Sequence, residues 1–332
     1  MEHGEPPSTA RAYWTVAAGR GEIREEPLRS PGPGEVLVRT VMSGVSRGTE
    51  LLVHRHEVPE AVAELMRAPH QVGDLPGPVK YGYLAVGVVE AGPPDLLGAR
   101  VFCLHPHQDW FVVPAADIVR VPDGVPSARA VLAGTVETAV NALWDAGPRI
   151  GDRIAVIGAG MVGLSIALLL RRHPLARLEV VETDAGRRGL VAGLGLTALD
   201  PAQAHDACDL VFHTSASSPG LASALELLGV EGEVIELSWF GERTTEVPLG
   251  GPFHVRRLSV RSSQVGRIAP ARSARRTFAD RLGIALDALQ DNAFDALLSD
   301  PIPFDRLPAA MTRMADGDPE VICQLVDYHQ ET

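Results

Sequence analysis

RIAVIGAGMVG, Arg153–Gly163, decides the fold: an apolar run breaks at three glycines and passes at once into a second apolar run, LSIALLLRR. Gly158, Gly160 and Gly163 have the GxGxxG spacing. That spacing gives a tight turn, close approach of the backbone to a pyrophosphate, and close packing of helix on strand. The helix that follows presents free amides to phosphate oxygens, so Gly158, Gly160, Met161, Val162 and Gly163 are expected to bind a dinucleotide. Ile154–Leu170 is almost wholly apolar between two arginines, yet it is slightly short for a membrane span, and its glycines suit a strand, turn and helix.

Working outward, strand and helix signals alternate: LEVVE, AGRRGLVAGLG, CDLVFHTSA, GLASALELLG, GEVIELSWFG, RRLSVRSSQ. Such alternation requires parallel strands joined by helical crossovers, a doubly wound α/β sheet. Glu182 closes the second strand, 24 positions after Gly158. A carboxylate there accepts hydrogen bonds from a ribose 2′-hydroxyl and repels a 2′-phosphate, so NAD(H) is favoured. Asp184, Arg187 and Arg188 follow, and an arginine swinging in would admit NADP(H), so Arg187 joins the cofactor candidates. Thr214, Ser215 and Ser238 end later strands of the same sheet and complete that face.

Before this region, residues 12–125 consist of short β-rich runs broken by Gly and Pro, which reads as a compact β domain. ARAVLAGTVETAVNALWDAG then has helical periodicity up to Gly147, and Ala271–Gln290 reads as a further helix. The expected organisation is 1–125 β-rich, 126–270 dinucleotide-binding, and 271–332 a return to the first domain.

The chain has 332 residues, 45% of them apolar, with a net charge of −12 and a pI near 5.4. This is enough to bury two cores, and it excludes the basic face that nucleic acid demands. Cys103, Cys208 and Cys323 stand far apart, and MEHGEPPSTARAYW lacks the apolar core of a secretory signal, so a reduced, cytoplasmic setting is expected. Lys80 is the only lysine among 30 basic residues. Coding bias accounts for it; so does a need for an ammonium with a movable pKa.

The order of parts, a β-rich first half, GDRIAVIGAGMVG in mid-chain and a return at the end, resembles the medium-chain dehydrogenase/reductase superfamily over nearly the whole chain. The resemblance implies a GroES-like catalytic domain built from both chain ends, a Rossmann domain between them, a cleft where they meet, a small-molecule substrate and a homodimer. Zinc-dependent members carry a cysteine before a Gly-Thr/Ser-Asp turn, a Gly-His-Glu triplet, and a third ligand before the linking helix. Here SGVSRGTEL puts Ser46 or Arg47 at the first, YGYLAVG puts Tyr83 and Leu84 at the second, and the third falls near Ala133 or Gly134. No catalytic or structural zinc is expected from these residues. Cys103, His105 and His107 alternate in FCLHPHQDW and offer a relocated metal site if that stretch stays extended, although Pro106 interrupts it.

Without zinc, side chains must supply a proton or positive charge at the reacting oxygen. Thr49 matches the relay hydroxyl of the zinc enzymes and equally reads as a turn cap. Tyr83 either points its phenol into the cleft or packs in the core. Lys80 either supports an oxyanion or lies on the surface, and Glu137 either bonds the nicotinamide carboxamide or caps a helix turn. Arg267, Arg272, Arg275 and Arg276 form a basic run, either a solvated face or an anion contact. The expected activity is zinc-independent, NAD(H)-dependent oxidoreduction of an alcohol/ketone pair. Alternatives are reduction of an enone or quinone, and nicotinamide binding without turnover.

Overall fold

The computed structural model describes residues 6–317 and 321–328; the first five residues of the N-terminal stretch quoted above lie outside them. The chain divides into two compact units, one of Met1–Gly134 with Leu298–Thr332 and one of Thr135–Leu297.

The second unit is a six-stranded parallel sheet. Its spatial order is Thr197–Leu199, Arg177–Val181, Arg153–Ile157, Cys208–His213, Leu228–Glu236, Ser259–Ser262. The order runs outward in both directions from the Arg153 strand, so the switch point lies beside GAGMVG, where open α/β sheets bind ligands. The central strands are apolar on both faces: Ile154, Ala155, Val156 and Val211 are fully buried. Helices on the faces require that pattern.

In the first unit, Glu35–Ser46 is the organising strand. Twelve residues long, it pairs antiparallel with Ala85–Ala91, Trp110–Pro114 and the returning strand Cys323–Asp327. A second sheet joins Thr9–Ala17 to Arg20–Pro27 and to the short strand Val79–Lys80. The helix Arg47–His54 follows the long strand directly.

The return to the first unit begins at Leu298 rather than at 271. Residues up to 297 belong to the dinucleotide unit because Arg281, 1% exposed, bonds Glu137 and Asn141, and Asp291 pairs with Arg171 and Arg172. The helix expected over Ala271–Gln290 is Phe278–Ala288. Thr277 starts it with a capping box: its hydroxyl accepts the Asp280 amide while the Asp280 carboxylate accepts the Thr277 amide. Among the described residues no helix is long and apolar enough to cross a membrane.

Candidate functional site

Gly158 turns the chain at φ +102°, a conformation that side chains resist. At Gly163 a Cβ would lie 2.0 Å from the Gly158 carbonyl oxygen and 2.7 Å from Thr214 Oγ1, so the helix can approach the strand only without one. Gly160 caps the helix Met161–Leu170 with no side-chain partner, and space is open beyond its Cα. The first-turn amides, Met161 and Val162 included, have no intrahelical acceptor and face that space. This cradle fits a pyrophosphate.

Glu182 supports the turn from below. Its Oε2 accepts the Ala159 amide (2.7 Å), and its Oε1 accepts the Asp184 amide (2.9 Å) and the Thr183 hydroxyl. Asp184 caps the next helix by accepting the Arg187 amide. Arg188 donates to the carbonyls of Glu182 and Thr183 and lies 3.3 Å from Asp200.

On the neighbouring strands, Thr214 Oγ1 donates to the carbonyls of Ile157 and Gly158. Sequence reasoning missed the group behind Ser215. His213 is fully buried, with Nδ1 2.6 Å from Glu236 Oε2 and Nε2 2.8 Å from Ser215 Oγ. Glu236 also accepts the Ser238 amide, and Ser238 Oγ accepts the Ala216 amide. The loops after two adjacent strands are thus tied together at the carboxyl edge of the sheet.

In the first unit, Tyr83 is partly buried, and the Ser46 and Thr49 side chains are among the groups that act on its phenol. Burial first, then the Glu50 carboxylate, push Tyr83 well above the usual phenol value of 10. Glu50, 3% exposed, reaches back along its helix so that Oε1 accepts the Ser46 amide (2.8 Å), while its Oε2 lies 2.8 Å from His107 Nε2. His107 Nδ1 is 2.7 Å from Ser43 Oγ, and Ser43 Oγ is 2.9 Å from the Tyr328 hydroxyl.

Lys80 is neither exposed nor gathered with Tyr83. Its ammonium donates to Glu26 Oε2 (2.6 Å) and Gln108 Oε1 (2.8 Å) and holds the short strand to its neighbours. Glu137 faces the Arg281 guanidinium at 3.0 Å, and burial outweighs that attraction and raises its carboxyl above the usual value of 4.5. Both side chains therefore serve as buried braces. Arg267, Arg272, Arg275 and Arg276 are exposed.

No family model matches the chain. It is 27% identical to a sorbitol dehydrogenase of Macaca fascicularis over 249 residues, 66% of either chain. It is 28% identical to a 2-desacetyl-2-hydroxyethyl bacteriochlorophyllide A dehydrogenase of Cereibacter sphaeroides over 64% of its own length and 68% of the relative's. The match thus spans just under two thirds of the length of the first of these relatives. Among solved structures, acetophenone reductase from Geotrichum candidum in complex with NAD superposes with a TM-score of 0.79 at 19% identity, covering 99% of this chain and all of the other. A zinc-binding dehydrogenase from Sinorhizobium meliloti bound to NADP gives 0.77 at 18%, covering 97% and 100%.

The chain has the fold of the medium-chain dehydrogenases/reductases and is similar in sequence to members of them.

The three positions at which the resemblance puts zinc ligands carry other side chains here. Ser46 and Tyr83 are hydroxyl side chains, and a Cβ at Gly134 would meet the Leu84 side chain at 2.7 Å, so that position is packed by hydrocarbon. Among the described residues no group of three or more His, Cys, Asp or Glu could hold a metal ion. The relocated set is dispersed: Cys103 lies in an apolar cluster, His105 stacks on Phe111 at 3.8 Å, and His107 turns to Glu50 and Ser43. A zinc ion does not fit this donor set, whereas a nicotinamide dinucleotide fits the turn.

Glu50, His107, Ser43 and Tyr328 were not legible as a site. Glu50 follows Thr49 directly in the quoted motif, and that adjacency was the available signal; the partners arrive from positions 57 and 285 residues away in sequence.

Proposed function

We propose that this protein is a zinc-independent, NAD(H)-dependent oxidoreductase of an alcohol/ketone pair, with Tyr83 as proton donor. The observation that carries the reading is the partly buried Tyr83, a phenol standing where relatives are expected to ligate zinc, with the Ser46 and Thr49 hydroxyls among the groups acting on it. A bound nicotinamide would supply or accept the hydride. Tyr83 then holds the proton that a reduced carbonyl oxygen needs. Although burial makes the phenol a weak acid, an alkoxide is a stronger base than a phenolate, so transfer runs downhill. Thr49 and Ser46, both partly exposed, can return a proton to Tyr83.

Preference for NAD(H) rests on Glu182, whose carboxylate is fixed at the strand end where a 2′-phosphate would have to sit. Arg188, in the helix that follows, is already committed to two carbonyls. A cytoplasmic homodimer acting on a small molecule is proposed from the resemblance.

Tyr83→Phe tests the assignment. It removes one oxygen and should lower ketone reduction by about a hundredfold or more, the usual contribution of a positioned general acid, with NADH affinity unchanged. Turnover at the wild-type rate would remove Tyr83 from the mechanism. Turnover confined to enones would instead assign carbon–carbon double-bond reduction.

A further inference from the structure

His213 and Glu236 end adjacent parallel strands of the dinucleotide unit and are partners in register, so their side chains rise from the same face of the sheet. The imidazole is fully buried and meets Glu236 Oε2 at one nitrogen and Ser215 Oγ at the other, at 2.6 and 2.8 Å. Ser215 itself is exposed. Ala216, next in the chain, has φ +49°, a left-handed backbone that costs an alanine energy, and Ser238 Oγ holds it there by accepting its amide. Gly220, in the helix Ser218–Leu227, serves by its missing side chain. A Cβ there would lie 2.3 Å from Ser215 Oγ, 2.7 Å from Ser217 Oγ and 2.8 Å from His213 Nε2.

These hydrogen bonds have one consistent polarity. A carboxylate only accepts, so His213 Nδ1–H donates to Glu236, whose other oxygen is held by the Ser238 amide. Nε2 is left as the acceptor, and the Ser215 hydroxyl donates to it. Ser217 Oγ accepts the Gly220 amide and turns its own proton to Ser215 Oγ, 2.9 Å away. One lone pair of Ser215 Oγ remains for another partner. The first turn of the helix Ser218–Leu227 lies against that oxygen at Gly220, and its positive end favours negative charge developing there.

We propose that Ser215, His213 and Glu236 form a nucleophile–base–carboxylate triad that hydrolyses small activated esters, an activity separate from oxidoreduction and not resting on it. An exposed hydroxyl bonded to a base, and a base oriented by a fixed carboxylate, are the arrangement such chemistry needs. Ser215 Oγ attacks the ester carbonyl carbon as its proton passes to His213 Nε2. The bond from that carbon to the alcohol oxygen breaks, and the alcohol leaves with the proton. Water then attacks the acyl-serine, giving a proton through His213 back to Ser215 Oγ and releasing the acid. A Cβ at Gly158 would be 3.1 Å from the Ser215 amide, so the nucleophile stands beside the glycine turn, and a dinucleotide in that cradle would cover it. Hydrolysis therefore belongs to the cofactor-free protein.

The test is p-nitrophenyl acetate given to the cofactor-free full chain, with p-nitrophenol release followed by absorbance and the acetylated residue located by peptide mass spectrometry. A burst matching the protein concentration should precede steady turnover, with the acetyl group on Ser215. Lys80, the only lysine, is 6% exposed and paired with Glu26, so background acylation of lysine is small. Ser215→Ala should abolish the burst. His213→Gln should slow it by about a hundredfold or more, the usual contribution of a general base. Gly220→Ala should slow it too, because the added methyl takes the space of the serine and imidazole. Release from Ser215→Ala at the wild-type rate, or acetyl groups found only on other residues, overturns the proposal. Should the variants fail to fold, the position of the acetyl group on the wild-type chain decides: on Ser215 after a burst it upholds the triad, and elsewhere it ends it.

Discussion

Replacing Arg281 by methionine should be the most damaging single change to the dinucleotide unit. The guanidinium is buried and donates to Glu137, Asn141 and the carbonyls of Val265 and Arg267, so it pins the segment after the edge strand to the helix Ala133–Ala146. Removing it leaves Glu137 buried without that cation, a change that costs about 3–5 kcal/mol in comparable pairs. For a unit of this size each kcal/mol lowers the melting point by about 2–4 °C, so the drop should be roughly 6–20 °C. The dependence on pH has a definite sign. Glu137 already has a raised folded pKa, so stability falls as pH rises from 4.5 through that value. Without Arg281 the lowering influences disappear and the window extends upward. The deficit should therefore be smallest near the unfolded value and grow toward neutrality. Calorimetry across pH measures it, and Arg281→Met combined with Glu137→Leu should recover most of the loss because no charge is then stranded. A single variant costing under about 1 kcal/mol, or a double variant no better than the single, would refute the brace.

Other substitutions test the remaining parts. Gly163→Val should abolish NADH binding, read by fluorescence titration, because its Cβ alone would overlap the Gly158 carbonyl. His213→Phe should weaken NADH binding by about tenfold, the worth of one or two net hydrogen bonds, with kcat at saturating cofactor nearly preserved, since it unties Ser215 from Glu236. Ketone reduction should show no alkaline limb from Tyr83 below pH 10, because the raised phenol stays protonated through that range; a limb near neutrality that vanishes in Tyr83→Phe would contradict the environment described.

What the sequence disclosed and what it hid divide along a physical line. The parallel sheet and its glycine turn were legible because each is encoded locally, by apolar runs and glycine spacing. Tyr83 and Thr49 were candidates by resemblance. Lys80 and Glu137 found their partners across 54 and 144 residues, Glu26 and Arg281, and no local pattern announces such pairs. The same holds for His107 with Glu50 and for His213 with Glu236. The helix expected from 271 was overextended because its apolar spacing hid Thr277–Asp280, whose capping spacing was readable in the sequence.

The most direct test of the account is NADH oxidation by chelator-treated protein of measured zinc content, supplied with matched ketone and enone substrates. The account predicts ketone turnover at full rate with no bound zinc and no stimulation by added zinc. Activity that disappears on chelation and returns only with zinc would contradict it.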